Sequence, residues 1–583
     1  MSNSMNYDTD VLVVGTGPAG VTTALALATY GIRVRMVTMF NWLANSPRAH
    51  ITNQRAVEVF RDLGLEQELL KYATPWDQMG DTLFTTSLAG EELARMRAWG
   101  TGDDRLGDYI QGSPCRPFDL IQPLIEPVLL KNAVERGAQV VFNTEYLKHV
   151  QDDDGVTVYL KDCNDGREYT VRARYLVGAD GAKSKVVEEI GLPIEGHMAR
   201  AGTAYVIFNA DLSRYVAHRP SILHWIVNPD TGFGEIGMGL LRAVRPWDQW
   251  IAGWGFDMEK GAPDFSKDVV LNKIRSMVGD PELEVEIEKT STWYVNQAYA
   301  TEYSKGRVFC AGDAVHRHPP SSGLGLNTCV QDSFNLAWKL AFVIKGFAGE
   351  ALLDSYSKER APVGKQIVLR ANQSRLDYAP LKECFRIAQG EGGTDAIVAS
   401  VRSTTPEGVE LRESLQKALE LKSYEFNAQG VELNQRYESN AVIPDEGAGK
   451  EEWLRDPQLY VQPTTCPGAK IPHAWLVNKD GVRVSSLDVT GKGMFSLVTG
   501  LAGQAWVRAA EKLNAPYLRT VVTGEKGAAD PYCSWQRIRE VHEAGAVLVR
   551  PDGYVAWRQS QATWDDQEAF EQLVDALETV LCK

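Results

Sequence analysis

The sequence predicts an α/β protein of several units, and three observations carry that prediction. An apolar run, Val11–Val14, leads into Gly15-x-Gly17-x-x-Gly20, and two later strand ends carry Asp180-Gly181 and Gly312-Asp313. The stretch from 200 to 300 is rich in Trp, Tyr, Val and Ile with turn residues between, which is the composition of sheet. From Pro467 strand-like and helix-like segments alternate afresh. At 583 residues the chain exceeds what one hydrophobic core holds, so about two to four units are expected.

Taken in order, Asp10–Val14 reads as a buried strand, Ala19–Tyr30 as a helix ending before Gly31, and Ile32–Val37 as a second strand. That is a Rossmann-like βαβ opening. Asn53–Leu63 is helical and stops at Gly64; Pro123–Arg136 is a helix ended by Gly137, and "AQVVFN" follows as a strand. Val156–Leu160 and Tyr169–Tyr175 alternate as a β-meander, and residues 200–300 read as mostly sheet. Helix returns at 325–345 and 350–375, while the polar stretch 390–460, broken by Pro and Gly, reads as a helical bridge or linker. Beyond it "PHAWLV", "MFSLVTG" and "GAVLVRPDGYVAWR" are strands, with helices near Ala502–Leu513 and Trp564–Leu581. They make a small α/β unit of roughly 120 residues, an ordinary domain size.

Composition narrows the partners. The chain carries 61 basic and 76 acidic residues, a net charge of −15. Such a surface repels polyanions, so neither nucleic acid nor a membrane is expected as a partner. Eight cysteines include no C-x-x-C, so no zinc ribbon or redox pair is expected, and their scarcity fits a reducing cytoplasmic setting. The N-terminus "MSNSMNYDTD" has no basic run ahead of the apolar stretch, so a signal peptide is not expected. No apolar run approaches the ~18 residues of a membrane span, and there is no internal repeat.

The motifs suggest a nucleotide. Gly-x-Gly-x-x-Gly lets backbone approach a pyrophosphate at a helix N-terminus. Asp313 at a strand end is placed to accept hydrogen bonds from sugar hydroxyls. The loop Pro319–Asn327 offers N–H groups at a helix start, suited to a partly negative ring edge. Each motif alone also reads as an ordinary turn. Position 38, where a Rossmann site usually carries an acid for the ribose, is Thr. Arg48 follows Pro47, and its fork of donors suits a phosphate; the other reading is a surface ion pair. His50 has the side chain to take a proton near neutrality; the other reading is plain packing. The His316-x-His318 spacing lacks a third ligand, so no metal is expected.

Gly-x-Gly-x-x-Gly, then Asp-Gly, then Gly-Asp followed by H-x-x-P-P-x-x-G-x-G-x-N resembles the group A flavoprotein monooxygenases, the aromatic hydroxylases. The phenol hydroxylase branch is the nearer match. The stretches that carry the likeness are "SPRAHITNQRAVEVFRDLGL", "IQPLIEP", "GDAVHRHPPSSGLGLNTCVQDSFNLAWKLA", "LLDSYSKERAPVGKQIV" and "GAVLVRPDGYVAWR", and it spans essentially the whole chain. The resemblance implies a discontinuous FAD-binding domain (1–75, 106–182 and 300–375) with an interleaved β-sheet substrate domain (76–105 and 183–299). It further implies a helical or linker region (376–464) and a thioredoxin-like domain (465–583).

It also implies that FAD contacts Gly15, Gly17, Pro18, Ala19, Gly20, Thr38, Arg48, Gln122, Asp180, Asp313, Pro320, Gly323, Gly325, Leu326 and Asn327. Many relatives place Arg where this chain has Val187. The implied reaction is ortho-hydroxylation of a substituted phenol to a catechol through a flavin hydroperoxide, with O₂ and NAD(P)H. No second dinucleotide fold is visible, so NAD(P)H acts as a transient co-substrate. By the same resemblance His50 is the base that makes phenolate, and Asp119 orients it or forms a structural pair. Arg242 stabilises phenolate or a peroxide oxygen, or forms an ordinary ion pair. Trp225 and Pro320 line the substrate cavity, Trp225 having a core position as its alternative. His316 and His318 become loop residues beside the flavin. The C-terminal domain reads "TGLAGQAW" where a working thioredoxin needs C-x-x-C. Packing or dimer contacts are therefore expected of it, within a homodimer or homotetramer. The rival readings are a tailoring hydroxylase of a larger polycyclic phenol and a non-oxygenating FAD protein of the same fold.

Overall fold

Every residue of the strand Thr9–Val14 is buried, which places it at the centre of a sheet covered on both faces. The computed structural model describes residues 7–198, 201–231, 236–386, 393–445 and 451–583. Thr9–Val14 pairs in parallel with Glu168–Gly178 on one side and Val34–Val37 on the other. Gln139–Val141 and Val308–Cys310 extend the parallel array outward. Val156–Asp162 and Thr144–Gln151 fold back as an antiparallel arm. Three helices follow in chain order: α1 (Pro18–Thr29), α2 (Gln54–Asp62) and α3 (Gln122–Glu135). Asn53 caps α2 by accepting from the Ala56 N–H, which is why that helix starts where it does. The predicted helix limits differ from these by one or two residues, as frayed ends do.

A second, seven-stranded sheet runs in the order Glu286–Tyr294, Gly202–Asn209, Gln249–Phe256, Gly239–Arg245, Leu223–Ile226, Asp81–Thr85, Glu92–Arg97. Its register sets Ile207 and Arg242 opposite Ile251, so Tyr205, Ile207, Arg242, Val244 and Ile251 share one face. The other face, with Phe208, Leu241 and Trp250, is covered by α4 (Lys267–Val278) through Val270, Ile274, Met277 and Val278. The reading of 200–300 as mostly sheet holds, and α4 is a helix within it that the reading did not single out. The apolar positions of α4 keep helical spacing, and that local period, set among charged residues, outranks the sheet-like composition around it.

Helices α5 (Gly325–Ile344) and α6 (Asp354–Leu376) return to the first sheet, with α5 packed on α1. The stretch read as a bridge is largely helical where described, with residues 387–392 and 446–450 outside the described residues. Tyr378, Leu381, Phe385, Leu415 and Ala418 pack on Phe84 and Trp225. This segment is therefore a lid on the end of the second sheet.

The C-terminal unit has a four-stranded sheet, ordered Leu518–Thr523, Phe495–Gly500, Ala546–Val549, Val555–Gln559. The first pair is parallel and the remaining pairs are antiparallel. Helices α7 (Gln504–Leu513) and α8 (Asp566–Val580) pack together. That order is consistent with the expected thioredoxin-like domain. Phe495, Leu497, Trp506 and Leu548 belong to the same apolar core as the first sheet. Among the described residues no helix is long and apolar enough to cross a membrane.

Candidate active site at the strand ends

The parallel strands Thr9–Val14, Val34–Val37, Glu168–Gly178 and Val308–Cys310 end at Gly15, Thr38, Asp180 and Asp313, so one sheet edge collects the motifs. The three glycines divide their work. A Cβ on Gly15 (φ 106°) would lie 2.2 Å from the Ala179 carbonyl oxygen, and one on Gly20 would lie 2.0 Å from that of Gly15. A Cβ on Gly17 would meet nothing within 4 Å. Gly15 and Gly20 thus permit close backbone packing, while Gly17 opens space over the start of α1. No side chain caps that start, and its free N–H groups beside Pro18 and Ala19 fit a pyrophosphate.

The other predicted contacts sort by what their side chains already do. Asp180 accepts from Ser184 Oγ at 2.5 Å and from the Val186 N–H at 3.3 Å. Its carboxylate holds its own turn, and burial raises its pKa. Asp313 is exposed, its carboxylate accepts from Cys329 Sγ at a long 4.0 Å, and Arg317 feels its charge. Thr38 is buried and binds the edge strands through its backbone, with Val141 at 3.1 Å and Thr144 at 2.7 Å. Arg48 is exposed, and among the described residues its guanidinium has no partner. The Gln122 N–H donates to the Arg48 carbonyl at 3.1 Å, and Gln122 Nε2 donates to Glu126 at 2.6 Å. Glu126 also accepts from the Ala44 N–H at 2.8 Å, and burial raises its pKa. It was absent from the sequence reading, although its i, i+4 spacing from Gln122 is visible there.

At the start of α5 no side chain caps the N–H groups of the first turn, Gly325, Leu326 and Asn327, while the Thr328 N–H already donates to the Leu324 carbonyl at 2.9 Å. Asn327 is fully engaged. Its Oδ1 accepts from the Asn53 N–H at 2.9 Å, and its Nδ2 donates to Ile51 at 2.8 Å and Gly323 at 2.6 Å. It therefore fastens the α5 loop to the strand beside His50, and only its backbone remains for a ligand. A Cβ on Gly323 would lie 3.2 Å from Ile51, and Pro320 is exposed at the mouth of the loop.

His50, Asp119 and Arg242 come together. The two-residue strand Ile51–Thr52 pairs with Phe118–Asp119, and the Leu120 N–H donates to the His50 carbonyl at 2.8 Å. That pairing sets His50 Nδ1 3.6 Å from Asp119 Oδ1, too far for a hydrogen bond and near enough for charge to matter. The other Asp119 oxygen forms an ion pair with Arg242 Nη2. Burial and then Arg242 lower the His50 pKa, with Asp119 partly offsetting them. Burial works to raise the Asp119 pKa, but Arg242 and His50 outweigh it and hold the carboxyl below its ordinary range. These shifts favour the neutral imidazole beside a charged, paired carboxylate. Tyr205 stands near Arg242 on the same sheet face, its pKa raised by burial. Its two-residue offset from Ile207 was a usable signal that the sequence reading passed over.

Two expectations change. Trp225 shares the Arg242 face, but its ring packs 4.8 Å from Tyr378 and is 8% exposed, so it is a core residue and not an open cavity wall. His316 donates or accepts at 2.9 Å with Asp332, which also pairs with Arg360 at 2.8 Å. It is a buried structural histidine. His318 Nδ1 donates to the Pro319 carbonyl at 2.7 Å. Among the described residues no three His, Cys, Asp or Glu side chains converge as a metal site.

Comparison with known proteins agrees with this geometry. The FAD binding domain profile matches residues 8–371, and the aromatic-ring hydroxylase C-terminal profile matches 464–583. The 2,4-dichlorophenol 6-monooxygenase of Cupriavidus pinatubonensis is 47% identical over 586 residues, covering 99% of this chain and 97% of the relative. The phenol 2-monooxygenase of Pseudomonas sp. (strain EST1001) is 45% identical over 572 residues, covering 97% and 92%. Among solved structures, the flavin-dependent monooxygenase PieE in complex with FAD and substrate superposes with a TM-score of 0.93 at 40% identity, covering 99% and 100%. Aklavinone-11 hydroxylase with FAD and aklavinone gives 0.81 at 30%, again covering 99% and 100%. A pyrophosphate cradle at α1, an open helix start at α5 and these full-length matches lead to one assignment: the chain belongs to the FAD-dependent aromatic-ring hydroxylases and is a flavoprotein monooxygenase.

Proposed function

We propose that the enzyme hydroxylates a substituted phenol ortho to its hydroxyl, giving a catechol, with O₂ and NAD(P)H as co-substrates. The observation that carries the reading is the His50–Asp119–Arg242 cluster on the buried face of the second sheet. The phenol-acting relatives at 45% and 47% identity support it. Bound FAD, reduced by the nicotinamide, supplies the activation of O₂. Gly17, the open start of α1, Arg48 and Asp313 would hold its pyrophosphate and ribityl portions, and the N–H groups at the start of α5 would hold its ring edge.

The chain's own residues prepare the substrate. His50 rests neutral, so it accepts the phenol proton and leaves an electron-rich phenolate ring. The new imidazolium is stabilised by Asp119, whose charge Arg242 keeps in place without a further proton. Arg242 also offers a cation to phenolate oxygen. Ile207, Val244 and Ile251 form the apolar surround, which keeps water from the reacting atoms. A cleft of about 460 Å³ opens beside Asp119, between Tyr72, Leu124 and Val244, and gives a small aromatic a path inward.

The domain limits given above, a cytoplasmic setting and a homodimer or homotetramer are proposed with it. Eight unpaired cysteines support the reducing compartment, and exposed Leu501, Tyr532 and Trp564 give the C-terminal unit apolar surface for a second copy. The test is a panel of substituted phenols, reading NAD(P)H consumption against catechol formed. Consumption that yields only hydrogen peroxide across the panel, with product from a polycyclic phenol, would replace the small-phenol reading.

A further inference from the structure

Helix α2 presents one face to the C-terminal unit along its whole length. Arg55 Nη2 donates to the Asp552 carbonyl at 2.9 Å. Glu58 accepts from Lys470 Nζ at 3.1 Å. Arg61 binds Asp488 through two hydrogen bonds of 2.7 and 2.9 Å. Asp62 accepts from the Lys492 N–H at 2.8 Å. Positions 55, 58, 61 and 62 recur at three to four residues, so they form one continuous stripe. Arg55, Glu58 and Lys470 are nearly fully buried, at 6%, 2% and 4% side-chain exposure. Buried ion pairs add little net stability, and their best-attested use is to set register.

What α2 carries at its other end gives the stripe its meaning. Asn53, its cap, follows His50 by three residues, and the Asn53 N–H is held by Asn327 at the start of α5. The His50 side chain is held only loosely at the carboxylate, since Nδ1 stands 3.6 Å from Asp119, beyond hydrogen-bond reach; the Pro47 backbone is its other polar neighbour. Its backbone is held by the Leu120 N–H and by the strand Ile51–Thr52, with the helix behind it. The C-terminal unit has no cysteine pair, so a redox role does not explain its full-length grip.

We propose that the C-terminal unit is a positioning module: by holding the polar face of α2 it fixes the angle at which His50 meets Asp119 and the phenol. This rests on the base role of His50 proposed above. Arg61 and Asp488 are positioning residues that never touch the substrate.

The test uses the full-length holoenzyme with Arg61→Asp, Asp488→Arg and the double reversal. Arg508→Gln serves as control, breaking an exposed ion pair with Asp566 inside the C-terminal unit. Each single reversal should cut product formed per NAD(P)H consumed by about fivefold and shift the acid limb of the pH profile. A misplacement of about 1 Å costs up to about 10²-fold, so a small tilt suffices. FAD affinity should stay within about twofold, the double reversal should restore coupling in part, since Arg61 also pairs with Glu66 and Asp488 also caps its helix at Ser485, and Arg508→Gln should match the native enzyme. Single reversals that lose thermal stability yet keep native coupling and pH profile would overturn the proposal, as would a double reversal no better coupled than either single one. If His50→Ala hydroxylates as fast as the native enzyme, the base reading falls and takes this proposal with it. If His50→Ala is impaired while Arg61→Asp is not, only the positioning role falls.

Discussion

Arg242, on the buried face of the second sheet, forms an ion pair with Asp119, on a two-residue strand beside the nucleotide-binding sheet. The pair joins the two units across the candidate site and sets the charge that His50 feels. Burial and Arg242 lower the His50 pKa, and Asp119 raises it. Activity that needs neutral His50 should therefore rise with pH through a midpoint below the ordinary 6.5. Removing the cation, as in Arg242→Gln, should move that midpoint up, and Asp119→Asn should move it down. His50→Ala should lose about 10²-fold or more in hydroxylation at neutral pH. The pH dependence of kcat/KM for catechol formation checks all three.

The glycines of the α1 turn make a separable prediction. Gly15→Ala forces φ 106° on a residue with a Cβ and drives that atom to 2.2 Å from Ala179. It should destabilise the fold by about 1–3 kcal/mol or more. Gly17 has φ −70° and open space, so Gly17→Ala should fold and melt as the native chain does while binding FAD about tenfold more weakly. Thermal melting of the apoprotein alongside FAD titration separates the two outcomes.

This contrast also shows where the sequence was legible. The βαβ opening and the strand-end motifs are local: a period, a glycine spacing, a short apolar run. They locate α1 and the cradle to within a residue or two. The candidate catalytic cluster is not local. His50 and Asp119 meet through two-residue strands too short to leave a propensity signal, and only the family resemblance brought them to the same site. Trp225 was read as a cavity wall with a core position as its alternative, and its partner Tyr378, which packs 4.8 Å away, arrives from a helical segment far along the chain that no local signal connects to it. Asn327 and Asp180 were singled out for a ligand, and their side chains also tie their own loops, Asn327 to Asn53, Ile51 and Gly323 and Asp180 to Ser184 and the Val186 N–H.

His224 makes the pH dependence of stability predictable. Its side chain is buried against Trp250, and its Nε2 meets only the Ser221 carbonyl at 3.2 Å. Burial lowers its pKa to about 4. The unfolded chain binds that proton near 6.5, so between these values the unfolded state holds more protons than the native one. Stability is then full above pH 6.5 and falls as pH drops toward 4. The loss from this group is about 3 kcal/mol. His224→Phe should flatten the slope by up to one proton, which denaturant midpoints at pH 7 and pH 4.5 will show.

The seam between α5, α6 and the C-terminal hairpin predicts an asymmetry between single and multiple substitution. Glu359 is bound by both nitrogens of Arg550, at 2.6 and 2.9 Å, and by Lys339 at 2.7 Å. All three side chains are fully buried. Glu359→Gln leaves two cations without their shared anion in a medium that cannot solvate them, although Arg550 keeps Asp552 at 2.5 Å. The cost should be about 3–5 kcal/mol. Replacing Glu359, Lys339 and Arg550 together by Leu, Met and Met removes the uncompensated charge along with its partners, and Asp552 must then be made Asn. Such a set should recover most of the loss, because the desolvation penalty disappears with the attraction it was offsetting. Thermal unfolding of the single and the fourfold variants decides the matter: equal destabilisation in both would mean that the seam is held by the charges themselves and not by the packing around them.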